Sequence, residues 1–384
     1  MLRFCLVGPT YPYRGGIAHY TTLLAQHLRH EHETLLLSFS RQYPRWLFPG
    51  KSDKDPSKRP LRTKAEYLLD PLNPISWWRT LRRIREWKPD VVVIPWWVPF
   101  WAPAWAVLGR GIKRLPERPR LLFICHNVLP HEQGRLSQFL LPSLLKLALA
   151  PGDGFIVHSE ADRKVLRRFF SQANILVVPL PTYQALGQLK EVALPVELPK
   201  DRPLLLFCGF VRPYKGLDIL LDAIPLVLAK RPLHLLIAGE FWHGTAEYRA
   251  QIERLALQDA VTIIDEYIPD EVLAAYMNRA DVVILPYRNA TQSAIIQLAF
   301  GHGKPVITTN VGGLGEVVED GRTGLVVPPD NPQTLAKAIE RYFDEELKSV
   351  FREQIQIGNH RFSWTILLDT LFKLSQDPAL RNHI

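Results

Sequence analysis

Short apolar runs alternate with stretches of helical periodicity from one end of the chain to the other. Continuous apolar runs suit strands buried on both faces, and apolar positions three and four apart suit helices that cover them. The alternation predicts an α/β fold built on parallel sheets. In the N-terminal half, strands are expected at Phe4 to Val7, Thr34 to Phe39, Val91 to Ile94, Leu121 to Cys125, Phe155 to His158 and Asn174 to Val178. Helices are expected over Ala18 to Arg29, Ser76 to Trp87 and about Ala102 to Arg110. The helix from Ser76 is amphipathic, with Trp77, Leu81 and Ile84 on one face and Arg79, Arg82, Arg83 and Glu86 opposite.

A proline-rich stretch from Pro179 to Pro203 lacks periodicity and reads as a linker. Strands then recur at Leu204 to Cys208, His234 to Ala238, Val261 to Ile264, Val282 to Leu285, Pro305 to Thr308 and Gly324 to Val327. Helices fall between them at about Leu217 to Ala229, Ala246 to Leu257, Asp270 to Asn278, Ser293 to Phe300 and Pro332 to Phe343. The expected organisation is a domain over 1–185, a linker over 186–202, a second domain over 203–345, and a helical tail over 346–384 packing back toward the first domain. Doubly wound sheets bind ligands at the carboxyl ends of their strands, so a cleft between the two domains is the expected place for a site.

Charge and cysteine content narrow the class. The formal net charge is +9, and much of it lies in three N-terminal runs, Lys51 to Lys64, Arg79 to Lys88 and Arg110 to Arg120. Such a face suits anionic lipid or a phosphorylated substrate; no nucleic-acid module accompanies it, and nucleic acid is not an expected partner. Cys5, Cys125 and Cys208 each sit inside an apolar run without metal-ligand spacing, which suits core residues in a reducing compartment. The N-terminal apolar run stops at Gly8-Pro9, too short for a signal peptide, so the cytoplasm is expected. The uncharged stretch Val91 to Gly109 is long enough to span a bilayer, but Pro95, Pro99 and Pro103 interrupt any single helix through it. It reads instead as a buried strand, a Trp/Pro-rich loop and a helix.

Four segments carry candidate chemistry, each just past a strand. Gly8 to Ile17 ends in Gly15-Gly16, which lets backbone N–H groups approach a phosphate at a helix N-terminus. Gly209 to Gly216 holds Arg212 and Lys215 between glycines, a fork and a point charge suited to a diphosphate. Asn289, Ala290, Thr291, Gln292 and Ser293 precede a helix that runs through Gln297; Ser293 is its expected N-cap, with free amides and the helix dipole able to hold phosphate oxygens. His126-Asn127 follows the strand Leu121 to Cys125. Two patterns are set aside: His131-Glu132 has no third metal ligand at useful spacing, and Asp53-Lys54-Asp55 reads as solvated charge in a polar loop.

Taken together, these residues resemble the retaining glycosyltransferases of family 4, the group 1 glycosyltransferases, which have the GT-B fold of two facing Rossmann-like domains. The resemblance is strongest from Phe207 to Asp330, above all in Gly301 to Val318, Asp320 to Gly324 and Val327 to Pro329. It implies that Gly15 and Gly16 border the donor diphosphate and the acceptor, that Arg212 and Lys215 neutralise the diphosphate as it leaves, that Glu266, Tyr267 and Ile268 line the base pocket, and that His126 sits by the donor sugar. It also implies retention of anomeric configuration with no metal and no cofactor, the nucleotide-sugar being a substrate. The family's two glutamates, one for the donor sugar and one for the ribose, correspond to Asn289 and Gln297, both amides. An uncharged acceptor makes the weaker bond.

The expected function is transfer from a nucleotide-sugar to a saccharide or lipid-linked acceptor at the inner face of a membrane. Trp96, Trp97, Phe100, Trp101 and Trp105, with the basic runs, motivate the membrane contact; the other reading of these rings is core packing and an acceptor-pocket wall. The amides at 289 and 297 motivate the alternative, a catalytically weak or inactive nucleotide-sugar-binding protein of the same fold.

Overall fold

The computed structural model describes residues 1–377 except 45, 49, 130–134, 184–185 and 187–191, with the side chains of 135–139 also outside the description. His131 and Glu132 therefore lie outside the described residues, as does part of the expected linker. The chain divides into two compact units. One comprises Met1–Asp55, Pro60–Pro179 and the chain from Trp364; the other comprises Pro56–Arg59 and Leu180–Ser363. The tail is thus divided between them, with residues up to Ser363 in the second unit.

In the first unit, seven parallel strands lie in the order β3-β2-β1-β4-β5-β6-β7. They are β1 (Arg3–Val7), β2 (Glu33–Phe39), β3 (Glu66–Leu69), β4 (Val91–Trp96), β5 (Arg120–Cys125), β6 (Gly154–Val157) and β7 (Asn174–Val177). The helices are α1 (Gly16–Glu31), α2 (Pro74–Trp87), α3 (Ala102–Lys113), α4 (Arg135–Leu149) and α5 (Glu160–Arg167), with a last helix Trp364–Gln376 packed on α1 and β5. Strand order reverses between β1 and β4, the switch point where loops from neighbouring carboxyl ends diverge and leave a crevice.

The expected bounds of β4 are corrected. Strand β4 does not stop at Ile94 but runs through Pro95 to Trp96. Proline is tolerated there because β1 pairs with β4 only as far as Val93, so no ladder bond to β1 needs the missing N–H. Of the two readings of the tryptophans, membrane contact or core packing, the structure shows core packing. Trp96, Trp101 and Trp105 are 1%, 0% and 0% exposed, Trp101 stacks on Trp105 at 5.0 Å, and Trp97 and Phe100 pack against the same cluster. Three large rings bury more apolar area inside the sheet–helix layer than a loop could offer at a surface.

The exposed rings lie elsewhere. Helix α2 is capped by Asn73, whose Oδ1 accepts from Ile75 N at 3.0 Å, and opens on Pro74. It turns Thr80 and Ile84 inward and leaves Ile75 and Trp78 62% and 59% exposed. Arg83 is not on the outer face: it forks onto Glu66 of β3, its Nε and Nη2 each 2.8 Å from a carboxylate oxygen.

In the second unit, six parallel strands lie in the order β10-β9-β8-β11-β12-β13. They are β8 (Leu204–Cys208), β9 (His234–Ala238), β10 (Val261–Ile264), β11 (Val282–Leu285), β12 (Val306–Thr309) and β13 (Gly324–Val327). Between them run α6 (Leu217–Leu228), α7 (Ala246–Arg254), α8 (Asp270–Arg279), α9 (Ala294–Gly301) and the short α10 (Leu314–Val317), followed by α11 (Pro332–Asp344) and α12 (Leu347–Gly358). The switch point falls between β8 and β11. Segment Pro56–Arg59 belongs to this unit, where Ser57 Oγ accepts from Asp270 N at 2.9 Å at the start of α8. Among the described residues, no helix is long and apolar enough to cross a membrane.

Candidate active site

Each switch point collects sequence-predicted residues, and each unit is built separately. In the second, the β8 to α6 loop carries Arg212 and Lys215, and the β11 to α9 loop carries Asn289 to Ser293. Gly216, at φ +66, lets these loops close: a Cβ there would lie 2.1 Å from Pro286 O. Lys215 Nζ is folded inward, 3.2 Å from where a Cβ on Gly209 would stand and 5.4 Å from the Tyr287 ring centroid. Burial lowers its pKa to about 8, with Cys208 opposing and Arg212 adding to the shift. Among the described residues no carboxylate pairs with it. A buried ammonium without an acid is costly unless an anion arrives to meet it.

Arg212 lies with its guanidinium carbon 4.7 Å from the Trp242 ring centroid and 5.3 Å from that of Tyr214. Trp242 also meets Phe210 at 5.0 Å, and Phe210 meets Tyr267 at 5.9 Å. Tyr267 is therefore brought to the Arg212 side of the site, beside buried Ile268, while Glu266 is exposed. Ser293 caps α9, its Oγ accepting from Ile295 N at 3.3 Å, which leaves the first-turn amides at the carboxyl end of β11. Thr291 is held by Gly313 N, which donates to Thr291 O at 3.1 Å. Asn289 is exposed, whereas Gln297, one turn into α9, is 1% exposed with no hydrogen-bond partner for Oε1 among the described residues.

Arg288 escaped the reading of the sequence. It donates to both oxygens of Asp218 on α6 at 2.7 and 2.6 Å, to Asp330 Oδ1 at 2.6 Å and to Pro213 O at 3.1 Å. Its own amide donates to Tyr214 O at 2.7 Å. One side chain thus ties together the loops after β8, β11 and β13. Arg–Asp spacing of 70 residues left no local pattern by which to find it.

In the first unit, Gly15 caps α1 at φ +97, and Gly16 opens the helix. The Asp53 to Asp55 segment is docked on this loop rather than solvated. Arg14 N donates to Asp53 O at 3.1 Å, Asp55 N donates to Pro12 O at 2.9 Å, and the Asp55 side chain is 3% exposed. Backbone pairing with the glycine loop outweighs hydration of the short acidic run.

His126, at the carboxyl end of β5, is buried, its N–H donating to Trp96 O at 2.8 Å. Tyr20 meets its ring edge-on at 4.5 Å. Its Nδ1 lies 3.3 Å from Nε2 of His158, a residue at the end of β6. Burial, then the neighbouring His158, holds His126 well below the usual imidazole range; burial lowers His158 to about 4 against the opposing pull of the Val178 carbonyl.

Comparison with known proteins agrees with this architecture. Residues 15–181 match the family described as glycosyl transferase 4-like domain, and residues 202–345 match glycosyl transferases group 1. A D-inositol 3-phosphate glycosyltransferase of Corynebacterium glutamicum is 27% identical over 49% of this chain and 46% of its own length. An enzyme of the same name from Paenarthrobacter aurescens is 33% identical over 37% of this chain and 35% of its own. The matched segments thus span less than half the length of these curated relatives. Solved structures match almost end to end. Sucrose-phosphate synthase from Thermosynechococcus elongatus has a TM-score of 0.69 at 21% identity, covering 97% of this chain and 98% of that one. Anabaena HepE in complex with UDP has a TM-score of 0.70 at 19% identity, covering 97% and 99%. Two parallel α/β units, two matching family segments and end-to-end structural likeness place this chain among the group 1 glycosyltransferases of GT-B fold.

Proposed function

We propose that the protein transfers a sugar from a nucleotide-sugar donor to a saccharide or lipid-linked hydroxyl, retaining anomeric configuration without a metal ion. The observation that carries the reading is Lys215: a buried ammonium beside Arg212, near the N-terminus of α9 at the β8/β11 switch point. A diphosphate entering there meets a fork, a point charge and the positive end of the α9 dipole, which together supply the electrostatic task often given to a metal. As the bond from the anomeric carbon to the diphosphate breaks, these groups hold the growing negative charge. The acceptor oxygen bonds to the same face of that carbon, and its proton passes to the departing diphosphate oxygen.

Thermal stabilisation by UDP-, GDP- and ADP-sugars tests the donor, because a ligand bound only to the folded state raises Tm by mass action. HepE has been solved with UDP-glucose, so uridine donors come first. Arg212→Ala and Lys215→Ala are expected to abolish the shift; an unchanged response in both would refute the diphosphate assignment. The buried amide of Gln297 favours a second reading, a nucleotide-sugar-binding protein with little turnover. Sugar transfer or hydrolysis from any nucleotide-sugar would eliminate it.

The acceptor is proposed to lie at an anionic membrane surface. Support comes from α2, where exposed Ile75 and Trp78 stand beside exposed Arg79, Arg82 and Arg85. Flotation with anionic but not neutral liposomes is expected; absence of lipid-dependent binding would remove this clause.

A further inference from the structure

We propose that His158 is a positioning residue that holds His126 as the Nδ1–H tautomer, so that His126 Nε2 serves a ligand hydroxyl as a hydrogen-bond acceptor. The second half rests on the reading that His126 sits by the donor sugar; the first half stands on the geometry alone.

The hydrogen-bond chain runs outward from a backbone carbonyl. Val178 O lies 2.8 Å from His158 Nδ1 and can only accept, so Nδ1 carries the proton. That carbonyl is fixed by the sheet, since Val178 N donates to Val157 O at 2.9 Å in continuation of the β6–β7 ladder. A neutral His158 then has its lone pair on Nε2, 3.3 Å from His126 Nδ1. The contact is attractive only if His126 Nδ1 bears a proton, which leaves the His126 lone pair on Nε2. The other protonation states fail. A proton on His158 Nε2 alone would aim the Nδ1 lone pair at the Val178 carbonyl. An imidazolium would satisfy both contacts, yet the pair is buried, and the nearby acid of α5, Asp162, receives Ser159 Oγ at 3.0 Å. Burial pushes both rings toward the neutral form.

The tautomer matters because it sets the direction of a hydrogen bond. Free histidine side chains favour the Nε2–H form, which would donate to a sugar hydroxyl. The form enforced here accepts the hydroxyl proton instead, and the hydroxyl must turn accordingly. A fixed tautomer is one way a buried residue governs a catalytic histidine without touching the substrate.

Nitrogen-15 NMR of the full chain labelled at histidine reads this directly. In the wild type, His126 is expected to show an imine-type Nε2 and a pyrrole-type Nδ1. His158→Leu, which removes the acceptor, is expected to exchange the two. His158→Gln, whose amide oxygen can stand where Nε2 stood, is expected to retain them. A pyrrole-type Nε2 in the wild type, which needs no variant to fold, would overturn the proposal, as would an unmoved His126 in His158→Leu. Donor kinetics test the second half: kcat/KM should fall on the order of tenfold in His158→Leu, with His158→Gln retaining most of it. An unchanged kcat/KM in a variant whose tautomer has exchanged would refute contact between Nε2 and the donor, and leave the hold of His158 on His126 standing.

Discussion

Arg288 grips the Asp218 carboxylate through both of its terminal nitrogens, at 2.7 and 2.6 Å. The pair joins the loop after β11 to the first turn of α6, and the remaining Arg288 nitrogen reaches Asp330 at 2.6 Å. The side chain is 31% exposed, so water screens part of each contact. Arg288→Ala is expected to lower stability by about 2 kcal/mol, the scale of hydrogen bonds to charged groups discounted for exposure. It should also weaken donor binding by loosening the Arg212 loop. Arg288→Lys should recover little, because a point charge cannot reproduce the fork. Denaturant unfolding alongside nucleotide titration checks both effects.

Gly216 and Gly244 separate backbone strain from steric closure. Both have positive φ, +66 and +82, but an added Cβ meets Pro286 O at 2.1 Å in one and nothing within 4 Å in the other. Gly244→Ala should cost about 1 kcal/mol, from conformation alone. Gly216→Ala should cost about 3 kcal/mol, because overpacking is added, and should abolish donor binding by parting the two loops. Equal Tm losses in the two variants would contradict this account.

Lys215 makes the apo protein sensitive to alkaline pH. Its pKa falls from 10.5 to about 8 on folding, so between those values the unfolded chain binds the extra proton. The Lys215 contribution to apo stability is therefore expected to rise with pH from about 8 to 10.5, against the opposite pull of the buried cysteines, while nucleotide binding weakens as the ammonium is lost. Lys215→Met should raise the apo Tm, abolish the nucleotide-induced shift and remove the Lys215 contribution to the alkaline limb, leaving that of Lys304, which is also held at about 8. Scanning calorimetry across pH, with and without the preferred nucleotide, measures all three.

Buried and half-buried histidines contribute to the acid limb. His158 and His302 fall from 6.5 to about 4 on folding, and His126 well below 6.5, each chiefly by burial. Their stability contribution is full above pH 6.5 and is lost as pH falls toward 4, where the unfolded state binds more protons. His302→Phe should reduce the steepness of this limb while leaving donor binding intact, since among the described residues the His302 side chain bonds Asn278 Oδ1, away from the site. A limb as steep as that of the wild type would show that carboxylates alone govern it.

The strands of the second unit were legible almost to the residue, because each is a short run rich in apolar and β-branched residues closed by glycine, proline, asparagine or charge. Strand β3, Glu66–Leu69, was not. It is an edge strand whose Tyr67 is 42% exposed, and its place depends on pairing with β2 across an irregular register. Arg212, Lys215 and Ser293 stood out since each lies just past an apolar run, where two cations and a helix cap are local features readable without a partner. Arg288 and His158 did not, because their roles are defined by partners far along the chain, Asp218 and His126. The tryptophans of 96–105 were visible with two readings, membrane contact or core packing, as an amphipathic ring looks the same in sequence whether it faces lipid or core; the structure decides for the core.

What the sequence determined by itself was periodicity: the α/β class, the order of elements and the glycine-framed loops that follow strands, all consequences of local geometry and side-chain alternation. What only the tertiary structure decided was pairing. Closing β8 beside β11 and β5 beside β6 put Arg288 on Asp218 and His158 on His126. Such contacts join residues that no local pattern relates, so their chemistry exists only once the sheets have formed.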